Sequence, residues 1–216
     1  MMQRNLLLSL LLIVLLSCHT DRREKQKAEI KPDTAAVVKS NQSPESNSER
    51  GKIIMELNKF SDAIAKEDKT VFLSFFDFPL ADSTVNFFEV DSIFDAERGV
   101  NNGAITKKMF ANSFKTIYEK TDMIELNYLF NHLNTNDLEK KDRISFEHKV
   151  KDEGCYHLYS IQIKNNEINI SYGTNSNDDY RKAHPDEEEI CDEYAQMWTF
   201  KFEDHKMKFL KHRIAG

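Results

Sequence analysis

The chain has 216 residues, with 30 Lys and Arg against 36 Asp and Glu for a formal net charge of −6, and it is 40% hydrophobic and 11% aromatic. That length suits one domain plus a tail, with enough apolar material for a sizeable core. The negative balance excludes the basic stripe of a nucleic-acid binder, and with only 6 Gly and 4 Pro the chain is no collagen-like or low-complexity polymer.

The chain opens with a basic residue, Arg4, followed by an apolar run from Leu6 to Leu16 broken only by Ser9. Such a run is too short to span a bilayer and has the proportions of a secretory signal. Leu15-Leu16-Ser17-Cys18 resembles the lipobox of bacterial lipoproteins. The resemblance implies cleavage before Cys18, diacylation of Cys18 and a membrane anchor, with residues 1–17 removed. Two or more acyl chains hold a protein to a bilayer stably, so palmitate at Cys18 would attach the protein without spanning. The alternative is an ordinary signal peptide with an incidental cysteine. His19 rather than Asp follows the cysteine, which by the enteric sorting rule favours the outer membrane, on its periplasmic face.

Residues 18–50 hold no aromatic side chain and are rich in Lys, Glu, Ser, Asn and Gln. Such a segment buries too little to offset its ordering entropy, which predicts a disordered tether. The folded domain is predicted over 51–216. Ile53, Leu57, Phe60 and Ile64 recur with helical spacing to about Lys66, and Asp68 is placed to cap a second short helix through Phe76. Phe72, Phe75, Phe76 and Phe78 crowd before Pro79 and are read as core. Thr84 to Val90 alternates loosely as a strand, Gly99 to Gly103 is a turn, and Thr106 to about Tyr118 is a third helix. Asp122 to Lys141 is ambiguous, its leucines favouring a helix and its asparagines weakening it.

Alternation is clearest in the last third. Ile144 to Val150, Tyr159 to Ile163, Ile168 to Tyr172, Tyr194 to Phe202 and Lys206 to Ile214 read as strands. Asn165-Asn166 and Asp204-His205 supply the turns. Helices first and an antiparallel meander second predict an α+β domain, with N-terminal helices packed on a curved sheet formed largely by the C-terminal third. The opening helix with Phe60 and Ile64, the Lys66-Glu67-Asp68 break before Phe78-Pro79-Leu80, and the hairpin from Trp198 to Phe209 resemble the nuclear transport factor, or cystatin-like and SnoaL-like, α+β roll family. That resemblance implies a cone-shaped pocket between sheet and helices that is catalytic, ligand-binding or filled. Function does not follow from a fold.

Cys155 and Cys191 each precede a predicted strand, and the two strands run in the same direction. If they flank the Ile168–Tyr172 strand, both sulfurs lie at one end of the sheet, where a disulfide would tie down the intervening loop. Two free buried thiols are the alternative. The long polar segment Thr174 to Glu193 carries an acidic run, Asp186, Glu187, Glu188, Glu189, Asp192 and Glu193, read as a solvated rim or as a surface for a basic partner protein. Asn175, Asn177, Asp179 and Asp186 only superficially match a calcium loop, since Tyr180 stands where the turn needs Gly. No metal site is expected. His157, near Tyr159 or Asp77, is the candidate for general acid–base work if the roll is catalytic. There is no Gly-rich phosphate loop, Gly-x-Ser-x-Gly or His-Glu-x-x-His, and no cofactor is expected.

These readings point to a non-enzymatic binding module in the cell envelope, taking an envelope protein or a small ligand. The alternatives are an isomerase- or dehydratase-type enzyme using a roll pocket, and an inhibitor or immunity protein binding through the acidic loop. A pocket plugged by Phe72, Phe75, Phe76 and Trp198 would favour the binding module.

Overall fold

The computed structural model describes residues 48–216 apart from 88–89, 151 and 188–189. The lipobox, Cys18 and the tether through Asn47 lie outside the described residues. Among the described residues no helix is long and apolar enough to cross a membrane.

The helix α1 (Glu49–Ala65) begins two residues before the expected boundary, because Ser48 caps it by accepting a hydrogen bond from the Gly51 amide. Its buried face is Ile53, Ile54, Leu57, Phe60 and Ile64. The Asp68 carboxylate caps α2 (Lys69–Leu73), accepting from the Val71 amide. Here α2 stops three residues short of Phe76.

Sequence and structure part company in the middle of the chain. Thr84 to Val90 forms no strand among its described residues. Asp82–Thr84 is a 3-10 turn in which the Thr84 hydroxyl donates to the Ala81 carbonyl, and such local bonds compete with ladder formation. The next helix, α3 (Ser92–Val100), was not anticipated and is capped by Asp91. The single helix expected from Thr106 is two, α4 (Lys107–Asn112) and α5 (Phe114–Lys120). They break at Ser113, whose hydroxyl is drawn to the Asp91 carboxylate at 2.8 Å. The ambiguous stretch resolves into α6 (Met123–His132) and a 3-10 turn, Thr135–Glu139.

The strands are β1 (Arg143–Lys149), β2 (Cys155–Lys164), β3 (Glu167–Ser176), β4 (Ala195–Glu203) and β5 (Lys206–Ala215). They form one antiparallel sheet in the order β1-β2-β3-β4-β5, so the domain is α+β as expected. Both predicted two-residue turns take positive φ, at Asn165 and Asn166 and at Asp204 and His205. The segment between β3 and β4 is not wholly loop: Asn177 caps a short helix, α7 (Asp178–Ala183).

The helices cover one face of the sheet. Phe60 of α1 meets Phe200 of β4 edge-on at 4.9 Å and Phe75 at 5.1 Å. Phe72, Phe75, Phe76, Trp198 and Phe200 are all buried. Aromatic pairs at these spacings add to the large apolar area they bury. The interior between helices and sheet is therefore filled, and by the aromatic residues the sequence marked as plugs.

Candidate functional site

Three features bear on function: a polar chain at one end of the sheet that runs into the core, a cleft on the opposite face, and the loop between β3 and β4.

The polar chain arises because the inward positions turn from aliphatic to polar at one end of the sheet. Ile170 is followed inward by Tyr172, and Trp198 is preceded by Gln196. His212 Nε2 lies 3.1 Å from Gln196 Oε1, and Gln196 Nε2 donates to Asp122 Oδ2 at 2.6 Å. The Tyr194 hydroxyl is 3.3 Å from the same carboxylate oxygen and 3.2 Å from the Tyr172 hydroxyl. Tyr172 in turn meets His157 Nδ1 at 3.1 Å. Beside this chain the Tyr159 hydroxyl donates to Glu125 at 2.7 Å.

The electrostatics follow from burial. Desolvation pushes the Asp122 carboxyl up, against the hydrogen bonds from Tyr194 and Gln196. It also raises the Tyr159, Tyr172 and Tyr194 phenols, helped at Tyr159 by the Glu125 hydrogen bond and charge. Fully buried His212 is held down to about 4, chiefly by desolvation and secondarily by Arg213. Through Asp122 Oδ2, which takes both Gln196 and Tyr194, the chain ties the start of α6 to the sheet, while His212 Nδ1 is buried without a partner.

His157 therefore sits with Tyr172, its ring 6.4 Å from that of Tyr159. It is not joined to Asp77, which forms an ion pair with Lys208 at 3.0 Å. The sequence could not reveal Asp122 as the centre of the chain, because it lies in the ambiguous stretch and reaches strands more than seventy positions away.

On the face of the sheet away from the helices lies a cleft of about 740 Å³, within the usual range for ligand sites. Its floor is small: Ser145, Ser160 and Ser171 are neighbours across β1, β2 and β3, and the hydroxyls of Ser160 and Ser171 are 2.7 Å apart. Gly173 continues the floor where a Cβ would stand 2.6 Å from the Tyr194 carbonyl oxygen. Arg143, Glu147 and Asn175 supply polar groups to its walls. No sequence motif marked this cleft, although the alternation that put isoleucines inward put these serines outward.

Cys155 and Cys191 form a disulfide with Cα atoms 5.0 Å apart. The register gives the reason: β2 and β4 flank β3 and enter the sheet from the same end. Within the acidic run, Asp186, Glu187, Asp192 and Glu193 are exposed, and Glu188 and Glu189 lie outside the described residues. The Glu193 carboxylate is occupied by the Ser176 amide and hydroxyl, which lower its pKa. The Thr174 hydroxyl donates to the Asp192 carbonyl at 2.7 Å. Asn177 donates through Nδ2 to the Glu153 carbonyl at 3.0 Å and accepts at Oδ1 from the Asp179 amide at 3.2 Å, and Asn175 Nδ2 lies 3.5 Å from the Tyr156 hydroxyl. No group of three metal-ligating side chains converges among the described residues.

No protein-family model, no curated protein and no solved structure matches this chain.

Proposed function

We propose that this chain is a membrane-anchored cell-envelope lipoprotein whose α+β domain is a non-enzymatic binding module for a protein or a small ligand, with the cleft on the open sheet face as the binding surface. One observation carries the reading. The helix–sheet interior that a roll enzyme would use holds Phe72, Phe75, Phe76 and Trp198, whereas the open volume lies on the other side of the sheet. The likeness to the roll family fits a filled, non-catalytic member. Residues 1–17 are the signal in this reading, Cys18 carries the palmitate, and the outer membrane's periplasmic face is the location.

A second reading is favoured by the disulfide and by Thr174 and Ser176, which hold the acidic loop in place. A pinned, exposed acidic loop suits an inhibitor or immunity protein facing a basic partner.

A photo-crosslinker placed at Asn175 separates the two. Capture abolished by Ser171→Phe, which fills the cleft floor, supports the cleft. Capture unaffected by Ser171→Phe but lost on Asp186→Lys with Glu187→Lys moves function to the loop. Palmitate labelling abolished by Cys18→Ala tests the anchor independently.

A further inference from the structure

The two edges of the sheet are treated differently. Along β5 the edge is covered: the Phe209 amide donates to the Phe75 carbonyl at 2.7 Å, the Met207 amide to Glu56 at 3.2 Å, and Arg213 to the Ser83 carbonyl at 2.9 Å. Along β1 no segment is laid against the edge among the described residues. The Ile163 amide donates to the Asp142 carbonyl at 2.8 Å, making Asp142 and Ile163 a hydrogen-bonded pair. Such pairs alternate along an antiparallel ladder. Hence Ile144, Phe146 and His148 turn their main-chain groups to β2, while Arg143, Ser145, Glu147 and Lys149 turn theirs outward. The side chains of those four residues are all exposed.

An open edge is a template for another strand, and the sequence of β1 selects one. In an antiparallel pairing of β1 with itself, centred on Ser145, Ser145 faces its own copy. Arg143 then faces Glu147 at both ends, and on the other face Ile144 meets Phe146. Shifting the centre to Phe146 sets Arg143 against Lys149 twice, and shifting it to Glu147 sets that carboxylate against itself. Opposite charges directly across a ladder stabilise and like charges destabilise, so among registers that pair five or more residues of β1 the Ser145-centred one alone sets opposite charges against each other, with Lys149 facing Lys141 just past the end of the strand. Arg143 has no ion pair among the described residues, and Glu147 is held only by an exposed contact with Lys149 at 3.3 Å.

We infer that β1 is a homodimer edge, on which a second copy of this chain docks antiparallel about Ser145. The symmetry is the isologous two-fold usual for dimers. Arg143, Ser145 and Glu147 also line the cleft, so two clefts meet across the junction.

The test is Ser145→Cys in the full chain with a mild oxidant such as copper–phenanthroline, read on a non-reducing gel against the wild type. The expected result is an interchain-linked dimer. Adding Arg143→Glu should lower capture about tenfold, since each substitution acts twice across the two-fold. Adding Glu147→Arg to that variant should restore it. The inference is overturned if Ser145→Cys gives no dimer above the wild-type background, if Lys149→Cys links equally well, or if the charge swap fails to restore capture. Linkage to a different protein at the expense of the dimer would also overturn it, making the edge a site for a foreign strand. Palmitate labelling at Cys18 and cleft capture at Asn175 are read separately, so failure here leaves them standing.

Discussion

Trp198 and His212 face each other across β4 and β5 with ring centroids 4.4 Å apart, and neither has any exposed surface. The pair places an ionisable ring inside an aromatic core, where charge is costly. His212 is accordingly depressed to about 4, while the unfolded chain takes up this proton near 6.5. A depressed folded value gives stability that is complete above about pH 6.5 and drains away as pH falls towards about 4. The loss should approach ~3 kcal/mol. Urea titrations from pH 7.5 to 4 should show it, and His212→Gln should flatten that slope. An unchanged slope in the variant would exclude His212 as its source.

Asp122 should respond in the opposite sense. Burial raises its carboxyl, so the neutral acid is favoured in the fold, and that advantage is lost as pH rises through the folded value. Asn keeps an acceptor for Gln196 and tolerates the left-handed backbone at φ 48°. Asp122→Asn should melt at or above the wild type at pH 7, within about 1 kcal/mol, and Asp122→Ala should melt lower. Equal damage from both would show that the charge itself is needed.

Opening the disulfide should destabilise the domain strongly. The bridge closes a loop with a sequence separation of 36, for which the chain-entropy relation gives about 4 kcal/mol. Cys155→Ser with Cys191→Ser should lower the denaturant midpoint accordingly. A loss under ~1 kcal/mol would mean the hydrogen bonds from Thr174 and Ser176 hold the loop without it.

Gly154 is a second constraint on the same loop. Any Cβ there would run into the carbonyl oxygen of Ile190, beside Cys191. Gly154→Ala should therefore cost roughly 1–3 kcal/mol through displaced backbone. Thermal melts under oxidising conditions would read it, and a neutral result would show that the loop yields.

What the sequence made legible is what local chemistry dictates. The alternation of Ile161 and Ile163 with Gln162, then Asn165-Asn166, then Ile168 and Ile170 leaves one hairpin in one register, and the structure has it. The disulfide was legible through strand order. By contrast α3 hid because its apolar residues do not mark a buried face: Phe94 is buried, but Ile93 and Val100 are 71% and 84% exposed. α7 buries nothing and rests on its Asn177 cap. The polar chain drew on Asp122, His157, Tyr172, Tyr194, Gln196 and His212, which no short spacing connects. The sheet register and the packing of α6 against it bring them together.

The Asn166 amide donates to the Glu49 carboxylate at 2.8 Å, so the polypeptide enters the domain beside the β2–β3 turn. The ten residues of β3 separate that turn from the disulfide end, about 33 Å along the strand. The loop after β3 and the start of α1 thus lie at opposite ends of that strand, so a substitution at one end acts on backbone that the other does not touch.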